Sequence, residues 1–115
     1  MRCERRQSPR HLAHLEIFIK GRVVLIPAGI GVSPRGCSYP LRTREPTGLV
    51  EVAGGGTLGD FFAVWGQRLP RGVKAFVGRQ RFRGRPAEIR LDPHSVITLE
   101  TGRLVPPHAN YVFPP

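Results

Sequence analysis

Residues 57–69 read TLGDFFAVWGQRL, and this is the one stretch of the chain with helical periodicity. Leu58, Phe61, Phe62, Trp65 and Leu69 fall at i, i+3, i+4, i+7 and i+11, a single apolar stripe. Thr57 followed by Asp60 resembles a capping box, which starts the helix at Thr57. The glycines 54–56 keep helix from extending backwards, and Pro70 with Gly72 closes it. The predicted helix is therefore 57–69, with Trp65 in the middle of a face that strands must cover.

Those strands lie on both sides of it. Upstream, Leu15, Ile17 and Ile19 alternate with Glu16, Phe18 and Lys20, the period of a strand with one apolar face. Gly21-Arg22 reads as a tight turn into Val23–Ile26, completing a hairpin. Residues 33–47, SPRGCSYPLRTREPT, form a long, basic, turn-rich connection of the kind that often carries function. Residues 48–52 make a short strand before the helix. Downstream, Val73–Val77, Gln80–Arg83, Ala87–Leu91 and Ser95–Glu100 read as extended, and residues 102–115 as a Pro-rich segment laid along the domain. A hairpin, a strand, one amphipathic helix and further strands predict an α+β fold. The expected form is a single β-grasp-like (ubiquitin-like) domain over 11–115, with a mixed sheet, behind a basic flexible arm at 1–10.

The chain has 115 residues and a formal net charge of +10. Lys20 and Lys74 are the only lysines, so the excess is almost all arginine. Such a balance favours anionic partners: acidic protein, nucleic acid or anionic lipid. No apolar run approaches the ~20 residues that span a bilayer. The N-terminal MRCERRQSPRH is not followed by the apolar core of a signal peptide, which leaves a cytosolic protein or an export segment further upstream. Cys3 and Cys37 form no CxxC pair. In an oxidising compartment they can join the arm to the long loop, and in the cytosol they would stay thiols.

Few residues suggest catalysis. Ser33, Ser38 and Ser95 lie in no GxSxG context, the acidic residues are scattered, and no glycine-rich stretch carries a phosphate-loop lysine. His11 and His14, three apart, are a weak copper or zinc pair that would need further ligands, with Glu51 or Cys37 as candidates. His94 and His108 sit in separate turns. The densest charge is GRQRFRGRPAEIR, in which alternation places Arg79, Arg81 and Arg83 on one side of a strand and Phe82 on the other. Such a row can grip phosphates and stack a base, or simply face solvent while Phe82 enters the core.

HLAHLEIFIKGRVVLIPAGIGV, CSYPLRTREPTGLVEV, the helix itself, VKAFVGRQRFRGRPAEIRL and the closing YVFPP together resemble a family of uncharacterised bacterial domains. These are frequent in actinobacteria and usually exported or anchored by an N-terminal membrane segment. The resemblance covers nearly the whole chain from His11 and implies an extracytoplasmic location. Relatives carry a His-Thr-His-Asp loop, then a glycine and a strand bearing another histidine. Those positions fall here on Arg42, Thr43, Arg44, Glu45, Gly48 and Glu51, while His14 corresponds to a histidine before the first strand. Arginine cannot ligate a metal as neutral imidazole does, so the resemblance implies a degenerate metal site and no cofactor. The expected function is a non-enzymatic binding module. It would contact an acidic partner through Arg42, Arg44, Glu45 and Glu51 and the row Arg79, Arg81 and Arg83, with Glu51 close enough to pair with one arginine. A metal-binding exported domain and a nucleic-acid binder are the alternatives.

Overall fold

Strand β1, Arg10–Ile19, pairs with three of the other strands. In the computed structural model, which describes residues 1–5, 10–104, 106–107 and 111–114, it pairs antiparallel with β4, Leu49–Ala53, along its first half. Along its second half it runs parallel to β7, Val96–Thr101. Strand β3, Leu41–Arg42, lies outside β4. On the other flank β5, Lys74–Val77, pairs with β7, and β6, Gln80–Phe82, closes the far edge. The two-residue β2, Arg22–Val23, pairs with Phe18 and Ile19. The result is a small α+β domain with a mixed, open, seven-stranded sheet in the order β3-β4-β1-β7-β5-β6, and one helix.

Parity along the strands makes the core. Ala13, Leu15 and Ile17, Leu41, Val50 and Val52, Ala75, and Ile97 and Leu99 are all buried on one face. Helix α1, Leu58–Trp65, adds Leu58, Phe61 and Phe62 to that cluster. Its start is as expected. The Thr57 hydroxyl accepts from the Asp60 backbone at 3.2 Å, and the Asp60 carboxylate accepts from the Thr57 N–H at 3.1 Å.

Its end differs, because Gly66 adopts φ 81° and its N–H turns back onto Phe62 and Ala63. This left-handed cap stops the helix three residues before Leu69. The consequence falls on Trp65, which is only half-buried and packs against the rings of Phe61 and Phe62 at 5.9 and 5.5 Å. Phe61, fully buried, occupies the centre of the stripe instead.

Other boundaries shift for local reasons. The tight turn falls at Lys20-Gly21, both with positive φ, the pair of conformations a two-residue hairpin loop requires. The regular pairing then ends at Val23, short of Ile26. The long basic connection contains β3, and within Ala87–Leu91 the chain begins in a 3₁₀ turn, Pro86–Glu88. At the other end of the chain, Cys3 and Cys37 form a disulfide, and Glu4 and Ser38 exchange two backbone hydrogen bonds of 2.8 Å. The first residues of the arm are thereby tied beside β3. Arm residues 6–9, with His108 and Asn110, lie outside the described residues.

Candidate functional site

The register across the β1–β4–β3 edge sets Leu12 opposite Glu51 and Glu51 opposite Arg42. Directly opposed residues have Cβ atoms close enough for long side chains to meet. Arg42 donates from Nε to Glu51 Oε1 at 2.8 Å, and Arg44 Nε lies 2.7 Å from Glu51 Oε2. Glu51 therefore holds two arginines, one on each oxygen, where the sequence reading pairs it with one. The two are differently placed: the Arg42 side chain is 8% exposed and that of Arg44 is 70% exposed.

A third guanidinium completes the cluster. Arg10, the first residue of β1, reaches across to the β3 connection. Its Nη1 donates to Pro40 O at 2.9 Å and Tyr39 O at 3.3 Å, and its Nη2 to Ser38 Oγ at 3.1 Å. Arg42 Nη1 also donates to Ser38 Oγ, at 3.3 Å, so one buried hydroxyl joins both arginines. Burial lowers the pKa of Arg10, the nearby Arg42 and Arg44 charges lower it further, and Glu51 opposes them.

Thr43, between the two loop arginines, is fully buried and fixes the backbone that carries them. Its N–H donates to Ile30 O at 3.0 Å, and its carbonyl accepts from the Gly29 N–H at 2.9 Å. Its hydroxyl donates to Pro27 O at 2.7 Å and accepts from the Ile30 N–H at 3.1 Å. The turn at 27–32 is thus clamped to the β3 segment. Gly31 makes the approach possible, since a Cβ there would collide with the Leu41 carbonyl oxygen.

Arg42, Arg44 and Glu51 are thus brought together. Glu45 is exposed and lines a small cavity of about 150 Å³ with Leu12, Arg44, Leu49, Glu51 and Pro114. Arg79, Arg81 and Arg83 are exposed on and beside β6, at the opposite edge of the sheet. Five inter-strand steps separate the edges, roughly 24 Å at the usual strand spacing. Arg81 sits over the ring of Phe76, 5.9 Å from its centroid, while Phe82 packs against the core. The two basic regions are separate surfaces.

His11 and His14 are not brought together. An odd spacing on a strand sends two side chains to opposite faces. His11 Nε2 contacts Leu91 O at 2.7 Å, and His14 Nε2 contacts Thr47 O at 3.0 Å. His14 also lies under the ring of Tyr111, stacked at 3.8 Å, with its Nδ1 3.9 Å from Glu16. Cys37 is in the disulfide and offers no thiolate. Among the described residues no three His, Cys, Asp or Glu side chains converge as a metal site would need, and no helix is long and apolar enough to cross a membrane.

The sequence reading misses Arg10 and Ser38 as parts of the site, and it lays the tail along the domain without naming its ring contacts. Arg10 and Ser38 carry no local motif. The tail brings Tyr111 onto His14 and Phe113 onto His94, the second pair stacked at 4.5 Å. Aromatic residues in a Pro-rich end were the available signal for such docking. No family model, curated protein or solved structure matches this chain. Its chemistry has to be read from these residues.

Proposed function

We propose that the protein is a non-enzymatic binding module of β-grasp type. Its β3–β4 edge, Arg42, Arg44, Glu45 and Glu51, receives an acidic protein partner. The fold reading is supported by the parallel central pair β1–β7 and by the helix that crosses from β4 to β5. The functional reading rests on one observation: Glu51 fixes two guanidiniums at once, one of them left open to solvent. Charges held in place before binding lose less freedom on association, and they select partners of opposite sign. On the resemblance to exported bacterial domains, this edge would be a salt-bridged loop in place of a metal-linked one. A disulfide between Cys3 and Cys37 fits an oxidising compartment.

Nucleic acid is the second reading, favoured by Arg81 lying over Phe76 on an exposed edge strand. A pair of titrations separates the two. With an Asp/Glu-rich peptide, binding is expected to weaken on Arg44→Ala and to persist when Arg79, Arg81 and Arg83 are replaced by alanine. With generic single-stranded DNA, a nucleic-acid binder would show the reverse, and its affinity would fall steeply with salt. Peptide binding indifferent to Arg44 would contradict the proposed module.

A further inference from the structure

The basic edge also has a concave side. Gly29, Val32, Arg42, Thr43 and Arg44 line a surface depression of about 380 Å³. Two of its five lining residues are arginines and none is acidic, although Glu51 and Glu45 lie close by. Its walls are stiff. The four hydrogen bonds made by Thr43 bind the 27–32 turn to the segment bearing both arginines. One of these arginines, Arg42, is itself buried, bonded to Glu51 and Ser38.

Charge is not balanced here. Arg42 and Arg44 share one carboxylate, Glu51, and Arg10 joins them through Ser38, so three arginines stand against Glu51 and the exposed Glu45 in this corner of the fold, an excess of positive charge. Burial first, and then the Arg42 and Arg44 charges, disfavour the protonated form of Arg10, with Glu51 opposing. Guanidinium forks match tetrahedral oxyanions closely, and an excess of positive charge favours an anionic ligand.

We propose that this depression is an oxyanion site, in which Arg44 with Arg42 beside it takes a phosphate or sulfate dianion, free or carried on the acidic partner. The inference deepens the binding-module reading by naming the group that this edge receives. The oxyanion would neutralise the excess positive charge of this corner.

The test uses the whole chain with its disulfide intact. Thermal unfolding is followed against inorganic phosphate, sulfate and chloride at equal ionic strength, with heats of binding measured in parallel. Phosphate and sulfate are expected to raise the unfolding temperature saturably beyond chloride. Arg44→Ala should weaken phosphate affinity by roughly tenfold or more, the scale of a lost charge-assisted contact. Replacing Arg79, Arg81 and Arg83 together removes more charge at the far edge and should leave the effect unchanged. A phosphoserine peptide competing with inorganic phosphate would identify the carried form, and phosphate binding without that competition the free form. The site is overturned if phosphate acts no differently from chloride, or if the far-edge variant loses as much as Arg44→Ala. Binding of an unphosphorylated acidic peptide that survives such a result would uphold the module while removing the oxyanion site. A phosphate effect without peptide binding would do the opposite.

Discussion

The two edges of the sheet carry arginines in similar number and in opposite physical states. At the β3–β4 edge, Arg42 and Arg44 are held on one carboxylate, and Arg10 and Arg42 share Ser38. At the β6 edge, Arg79, Arg81 and Arg83 make no ion pair among the described residues, and only Arg81 rests on an aromatic ring. Solvated charges of the second kind attract anions at long range and are screened over about 8 Å at physiological salt. Anchored charges of the first kind offer directed donors, and a buried one such as Arg42 is screened less. A count of arginines cannot tell the two edges apart. What separates them is whether a neighbouring strand supplies a carboxylate in register.

The widest gap between the edges should come from the disulfide. Cys37 adjoins Ser38, so the bridge to Cys3 ends beside the anchored edge alone. It closes a loop of sequence separation 34, and its removal by serine at both positions should destabilise the fold by about 3–4 kcal/mol. Hydrogen exchange should rise first around Ser38 and Leu41, with β5 and β6 less affected. Equal acceleration at both edges would show that the bridge acts on the whole fold and does not belong to one edge.

Glu51→Ala comes next. It leaves Arg42 buried without its counter-ion, a loss of about 3 kcal/mol in chemical denaturation. Retention of wild-type stability would mean that Arg42 swings out to solvent, and the contrast between the edges would collapse. A smaller effect belongs to Arg44→Ala, about 0–1 kcal/mol, because the side chain is mostly exposed. Smallest of all, alanine at any one of Arg79, Arg81 and Arg83 should stay within about 0.5 kcal/mol. A larger loss at Arg81 would make its ring contact part of the fold.

Much of this architecture is legible in the sequence, and the failures are of two kinds, local signals outweighed and contacts made across the sheet. Thr57 and Asp60 marked the helix start because a capping box is local. Gly66 is equally local, yet the apolar pattern continuing to Leu69 outweighs it in the sequence and predicts a helix too long and a Trp65 too deep. The pairing of Glu51 with a loop arginine follows from the expected β-grasp order, with Glu51 on the strand after the loop, and the register brings it two arginines where one is expected. For the weak histidine pair, a spacing of three within an alternating strand already puts the two rings on opposite faces. Arg10 and Ser38 were beyond reach. Their contact joins residues 28 apart and exists only because β4 inserts between β1 and β3. Sheet order is a global property, and a site assembled across three strands inherits that illegibility.

The central claim is that the anchored edge, and not the solvated one, is the binding surface. Arginine Nε–Hε resonances report it residue by residue, because Arg42 and Arg44 approach Glu51 through Nε. In a titration of the isotope-labelled protein with an Asp/Glu-rich peptide at physiological salt, the Arg42 and Arg44 signals should shift together and saturate, while those of Arg79, Arg81 and Arg83 drift weakly. Saturating shifts confined to Arg79, Arg81 and Arg83, with Arg42 and Arg44 unmoved, would contradict the account.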